Sequence, residues 1–183
     1  MGYQTPEVGN GVVRALASNW RLSGILTARS GTRLNITSGV DRAFMGSHSS
    51  VQRPDQVSDD IYGPGKDASP KPGERIDNYF NRDAFRLAAP GTLGNAPRNL
   101  AVGPSFWQTD LAISKLVSVV GTQRLELRFE TFNLFNTFNW GNPGAPSDNP
   151  TASSVNFNAA TFGRITSQVG APRILQFGVK YDF

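Results

Sequence analysis

His48 is the only histidine in the sequence and stands in GSHSS at 46–50. An imidazole can serve as a general base or a zinc ligand, but each role needs partners: a nucleophile with an orienting group, or further His and Cys ligands. With no cysteine and no second histidine, neither constellation can be assembled, and His48 is read as a loop residue. Asp59 and Asp60 in VSDDIYGPG are adjacent carboxylates without the spacing of a calcium loop, and are read as solvated charges. GPGK at 63–66 lacks the full phosphate-loop spacing and a following helical pattern, so it is read as a turn. NIT at 35–37 has the form of a glycosylation sequon. No catalytic residue, cofactor or metal ligand is expected, and the chain is expected not to be an enzyme.

The residues whose spacing carries more are Arg124, Glu126, Arg128 and Glu130, which alternate with Leu125, Leu127, Phe129 and Thr131 in RLELRFETFNLFN. Period-two alternation places the four charges on one face of a strand and the apolar residues on the other. Such a ladder either contacts a plug or substrate, or is a hydrated inner wall whose charges pair across strands. Arg21, Arg29 and Arg33 carry the same two readings. Phe80, Phe85, Phe106, Trp107, Phe138 and Trp140 are read as interfacial aromatics or loop packing, or as a ligand-capturing outer surface.

Four segments have the periodicity to position these groups. In WRLSGILTARSGTRLNI, Trp20, Leu22, Leu26, Ala28, Leu34 and Ile36 share one parity, predicting one long strand over about 20–36. WQTDLAISKLVSV predicts a strand over 107–119, in which Lys115 breaks the apolar parity and is expected to snorkel to an interface. The ladder predicts a third strand over 124–135, and the short VGTQ turn at 120–123 makes these two an antiparallel hairpin. The fourth, 173–183, ends in QFGVKYDF, with Leu175, Phe177, Val179, Tyr181 and Phe183 on one face. Its length suits a tilted strand crossing a bilayer, which needs roughly 9–11 residues. The remaining stretches, 37–106 and 137–172, are rich in Gly, Pro, Ser and Asp and are expected to be long surface loops. Short turns on one side and long loops on the other is the asymmetry of outer-membrane barrels.

Composition agrees with this division. Of 183 residues 38% are hydrophobic and 17% charged, where soluble domains average about 25% charged. No apolar run is long enough for a transmembrane helix, and MGYQTPEVGNG lacks the basic start and apolar stretch of a secretory leader. The net charge of +4 comes from scattered Lys and Arg without aromatic interleaving, so no nucleic-acid partner is expected.

Gln176, Gly178, Tyr181 and Phe183 fit a polar-x-Gly-x-x-aromatic-x-aromatic ending that resembles the sorting signal of bacterial outer-membrane barrels. Together with the first segment, GTLGNAPRNLAVGPSFWQTDLAISK, RLELRFETFNLFNTFNWGNP and FGRITSQVGAPRILQFGVKYDF, it resembles the C-terminal β-barrel portion of TonB-dependent outer-membrane receptors, in particular the Oar-like subgroup, over about 19–183. FETFNLFN at 129–136 is similar to the Asn-Leu-Phe element ending the penultimate strand of that family. The resemblance implies an all-β fold, an antiparallel transmembrane β-barrel segment holding the last four strands of a barrel of about 22. It implies long extracellular loops, location in the outer membrane of a Gram-negative bacterium, and the ladder facing the lumen. The implied partners are the barrel-assembly machinery, outer-membrane lipid, and the remaining strands and plug of a full-length receptor. The TonB system would be reached only through an N-terminal part. Leader, coupling box, plug and earlier strands are not in the chain, which is expected to be a fragment.

Three functions are therefore open: a receptor segment serving energy-coupled uptake of a large ligand, a structural or adhesive surface barrel, and a secreted carbohydrate-binding β-domain. The last expects a second sheet covering the apolar faces.

Overall fold

The computed structural model describes residues 2–6, 9–46 and 51–183. His48 lies outside them. In chain order the elements are β1 (Gly2–Gln4), α1 (Gly11–Ala17), β2 (Trp20–Arg29), β3 (Arg33–Thr37), β4 (Asp55–Gln56), β5 (Phe85–Arg86), β6 (Ala101–Val102), β7 (Phe106–Ser118), β8 (Arg124–Phe132), β9 (Asn139–Trp140), β10 (Ser154–Asn156), β11 (Gln168–Val169) and β12 (Ile174–Asp182). The fold is all-β with mostly antiparallel pairing, and among the described residues no helix is long and apolar enough to cross a membrane. The chain divides into two compact units, residues 1–28, 107–137 and 171–183 in the first, and 29–106 and 138–170 in the second.

The first unit is built on a five-stranded sheet in the order β1-β2-β7-β8-β12. β7 and β8 pair antiparallel from Leu111 opposite Thr131 to Ser118 opposite Arg124. Their turn is closed by Val119 N–H to the Gln123 carbonyl, 3.0 Å, with Gly121 at φ 59°. β12 runs antiparallel to β8 from Ile174 opposite Phe132 to Asp182 opposite Arg124. β1, a short strand without a periodic signal, pairs antiparallel with β2.

The strand expected over 20–36 is two strands in two different sheets. β2 belongs to the five-stranded sheet, whereas β3 is the middle strand of a sheet ordered β10-β3-β6. The break falls at Gly31, where a Cβ would lie 1.8 Å from the Gly103 carbonyl oxygen. The backbone passes too close there for any side chain.

The stretches expected to be long loops are also corrected, because they form a packed unit. Leu34 and Ile36 on one face of β3 are fully buried among Phe80, Phe85, Phe162 and Ile165. Phe80 stacks on Phe162 with centroids 5.4 Å apart, and Tyr79 meets Phe80 edge-on at 5.1 Å. Both backbone groups of Val102 are satisfied by tyrosines: its N–H donates to Tyr62 Oη, 2.9 Å, and its carbonyl accepts from Tyr79 Oη, 3.1 Å. Burial, then the neighbouring Tyr62 and Asp67, push the Tyr79 phenol up to about 12. The GPGK turn is one turn of 3₁₀ helix, Pro64–Asp67, with Lys66 Nζ 3.9 Å over the Tyr62 ring. Asp59 and Asp60 are exposed.

Candidate functional site

The alternation in β8 sets the chemistry of both faces of the first unit's sheet. Its register puts Ala112, Glu130 and Gln176 in one cross-strand row, and Ser114, Arg128 and Gly178 in the next. Leu116, Glu126 and Lys180 follow, then Ser118, Arg124 and Asp182. All four residues of the ladder therefore share one face, with Glu126 opposite Lys180 and Arg124 opposite Asp182. Along the strands, Arg128 pairs with Glu130 at 3.0 Å and Lys180 with Asp182 at 2.9 Å. Opposite charges placed across and along a sheet each contribute a few tenths of a kcal/mol, about 0.2–1, so the charges of the ladder are only weakly paired. A concavity of about 550 Å³ on this face is lined by Gln4, Arg21, Ser23, Ser114, Glu126 and Arg128.

The intervening rows make the other face. Ile113, Phe129 and Phe177 form one row, and Val117, Leu125 and Tyr181 another. Phe129 and Phe177 are 4.9 Å apart between ring centroids. Leu26, Phe177 and Val179 are 69%, 76% and 72% exposed, and Leu22, Leu127 and Leu175 are exposed as well. Each such side chain left in water forgoes about 1.5–3 kcal/mol of burial, so a face of this kind demands an apolar surrounding. The covering sheet expected of a soluble carbohydrate-binding domain would have buried these residues.

Lys115 lies in the apolar rows, opposite Leu127, and does not snorkel. It is buried, with Nζ donating to the Ser18 carbonyl oxygen and sitting 5.2 Å over the Trp20 ring. The segment entering β2 supplies the acceptor, held by Leu116 N–H to the Asn19 carbonyl, 3.1 Å.

The residues of the expected terminal signal are divided between the faces. Gln176 and Gly178 are on the charged side, opposite Glu130 and Arg128, while Tyr181 is on the apolar side opposite Leu125. Phe183 lies one residue beyond the last paired position, 95% exposed, with its ring 6.2 Å from that of Tyr181. A Cβ on Gly178 would meet Arg128 Cβ at 3.7 Å, an ordinary contact, so pairing with β8 does not itself require glycine there.

One residue of structural weight carries only an indirect sequence signal. β8 ends at Phe132, short of the expected 135, because Asn133 and Asn136 adopt left-handed backbones at φ 54° and 52°. The Asn133 side chain is buried; its Oδ1 accepts from Thr137 N–H, 2.8 Å, and its Nδ2 donates to the carbonyls of Thr137 and Ala171, both 3.0 Å. Its own N–H donates to Asp110 Oδ1, 2.9 Å. The sequence showed the FETFNLFN element but not this latch.

Of the aromatics in question, Phe80 and Phe85 are core residues, while Trp107 packs on Phe135 at 5.9 Å and Phe138 on Trp140 at 4.5 Å. Among the described residues no group of three His, Cys, Asp or Glu side chains could hold a metal ion.

No curated protein and no solved structure matches the chain. A continuous sheet with an exposed apolar face and an opposite face of charges and hydroxyls is built to divide lipid from water. The family model for the outer membrane beta barrel domain matches residues 1–176, and the chain thus belongs to the outer membrane beta barrel domain family.

Proposed function

We propose that the chain is a C-terminal barrel segment of a TonB-dependent outer-membrane receptor of the Oar-like kind, non-enzymatic, serving energy-coupled uptake of a large ligand in a Gram-negative bacterium. The observation that carries this reading is the sheet: five strands, apolar on one face and charged on the other, with no further partner for β1 or β12 among the described residues. Five strands cannot close a membrane barrel, since the smallest use about eight, so both edges call for further strands. The similarity of the terminal strand and of FETFNLFN to those receptors supports the finer assignment. On this reading the ladder at Arg124, Glu126, Arg128 and Glu130 faces the lumen and a plug, the apolar rows face outer-membrane lipid, and the second unit is extracellular. The barrel-assembly machinery would add strands to the free backbone edge of β12.

A structural or adhesive surface barrel is the second reading. It is favoured by the second unit being a packed body with its own core, which suits a fixed contact surface. Uptake separates the two. Cells carrying the native protein are expected to accumulate its ligand only while the proton gradient is maintained, and to lose accumulation with a protonophore. Binding that is unchanged by the protonophore, with no accumulation, would overturn the receptor reading in favour of the surface barrel.

A further inference from the structure

The second unit contains a cavity of about 320 Å³ lined by Asn35, Thr37, Val51, Arg53, Arg98 and Ser154. Its construction follows from β3. Leu34 and Ile36 point into the core, so Asn35 and Thr37 point the other way, and Ser154 of β10 stands opposite Asn35 in the parallel register. Two further segments close over this polar face. Ser38 N–H donates to the Gln52 carbonyl, 2.7 Å, placing Arg53 beside the strand. Asn99 N–H donates to Asn35 Oδ1, 2.8 Å, placing Arg98 beside it as well.

The two segments are also tied to each other. Ala96 N–H donates to the Pro54 carbonyl, 3.0 Å, Gln56 N–H to Asn95 Oδ1, 2.7 Å, and Asn95 N–H to Asp55 Oδ1, 3.2 Å. Gly94 lets them approach, because a Cβ there would fall 2.1 Å from the Arg53 carbonyl oxygen. The two arginines are thus carried on cross-braced backbone.

The cavity is rich in donors and poor in acceptors. Among the described residues no carboxylate lies within ion-pairing distance of Arg53 or Arg98. Asp55, the nearest acid in sequence, is engaged by Arg86 at 3.8 Å and by Asn95 N–H. Asn35 uses its oxygen on Asn99, which leaves its amide N–H groups to the cavity, and Thr37 Oγ1 is committed to the Val155 carbonyl at 3.3 Å. Two planar guanidinium groups on one cavity match an oxyanion through paired N–H donors. A phosphate monoester carries about −1.5 to −2 at pH 7, which two arginines balance, whereas a single-carboxylate ligand would leave one of the two cations unmatched. The volume is also several times that of one water, about 30 Å³, leaving space for the group that bears the phosphate.

We propose that Arg53 and Arg98, with Asn35 and Ser154, form a binding site for a phosphate monoester, carried by a soluble sugar or by a lipid headgroup. The site lies wholly within the second unit and does not depend on the receptor reading. The full chain, folded in non-ionic detergent, would be titrated calorimetrically with glucose 6-phosphate and, as control, glucose. In a second arm, the chain in phosphatidylcholine nanodiscs with or without phosphatidic acid would be followed by ³¹P NMR. Saturable binding of glucose 6-phosphate but not glucose is expected, or of phosphatidic acid if the source is lipid. Arg53→Gln and Arg98→Gln should each weaken it by about tenfold or more. Lys71→Gln, an equal change of net charge elsewhere in the unit, should leave it unchanged. Arg98 is exposed, so Arg98→Gln tests the site even if Arg53→Gln disturbs folding. Absence of phosphate-dependent binding in both arms, or equal weakening by Lys71→Gln, would overturn the proposal.

Discussion

Asn133 and Ala171, 38 positions apart in sequence, are joined by a 3.0 Å hydrogen bond from the Asn133 side-chain amide to the Ala171 carbonyl. The same amide group holds Thr137 through both its N–H and its carbonyl. Thr137 is where the chain leaves the first unit and Ala171 is where it returns, so one buried side chain fixes the exit and the re-entry of a whole excursion. The strand that re-enters is β12, whose register on β8 begins at Ile174. Arg173 N–H bonded to Asn136 Oδ1, 3.0 Å, continues the same clamp to the strand's first residue.

Replacing Asn133 should therefore be costly in a way that separates backbone from side chain. Asn133→Gly accepts the positive φ but removes the three hydrogen bonds of the side chain to Thr137 and Ala171, at about 1–3 kcal/mol. Asn133→Ala adds left-handed strain of about 1 kcal/mol or more, and Asn133→Asp sets a carboxylate against two carbonyl oxygens. Equilibrium unfolding in detergent should rank stability as wild type, then Gly, then Ala, with Asp at or below Ala. A Gly variant as stable as wild type would show that φ alone explains the asparagine.

Gly31 should tolerate no side chain. Gly31→Ala drives a Cβ into the Gly103 carbonyl and should cost about 1–3 kcal/mol through the backbone shift it forces. Gly24→Ala is the comparison, since its Cβ would lie 3.5 Å from the Asp110 carbonyl oxygen, an ordinary contact. Urea midpoints that fall for Gly31→Ala and hardly move for Gly24→Ala are expected.

The second unit should weaken in alkali through Tyr79. Its phenol ordinarily titrates near 10 and is held up to about 12 in the fold. Between those values the folded state keeps a proton that the unfolded state has released, so stability is intact below 10 and falls as pH rises towards 12. Tyr79→Phe loses the bond to Val102 and starts lower, but should show a shallower decline over that window. Near-ultraviolet circular dichroism against urea at a series of pH values reads both slopes, and equal slopes would contradict the assignment.

What could be read from the residues alone was whatever repeats at period two. β7, β8 and β12 were legible because each carries its alternation within itself. The break at Gly31 was not, because its cause is the carbonyl of Gly103, far along the chain. Lys115 looked misplaced because its acceptor, Ser18, is 97 positions away. The core of the second unit was missed for a related reason. Phe80, Phe85, Phe162 and Ile165 arrive singly among Gly, Pro and Asn without a period, and only the fold gathers them. The cavity beside Asn35 leaves one trace in the sequence, the alternation of Leu34 and Ile36 with Asn35 and Thr37, which periodicity alone joins to the strand before it.

The end of β12 separates a structural from a recognition role for Phe183. The ring contributes little to the folded sheet, being 95% exposed and beyond the last residue paired with β8. Phe183→Asp should thus leave the stability of the isolated chain within about 0.5 kcal/mol. Asp182 is opposite Arg124 and paired to Lys180 at an exposed position, so Asp182→Asn should cost no more than about 1 kcal/mol. On stability alone the two variants are close to equivalent. If Gln176, Gly178, Tyr181 and Phe183 act as an assembly signal, they part company in the cell: Phe183→Asp should sharply reduce outer-membrane levels of the native protein while Asp182→Asn leaves them near wild type. Cell fractionation with quantitative immunoblotting measures this, and equal abundance of the two variants would sink the signal and leave Phe183 as a solvent-exposed ring without a role.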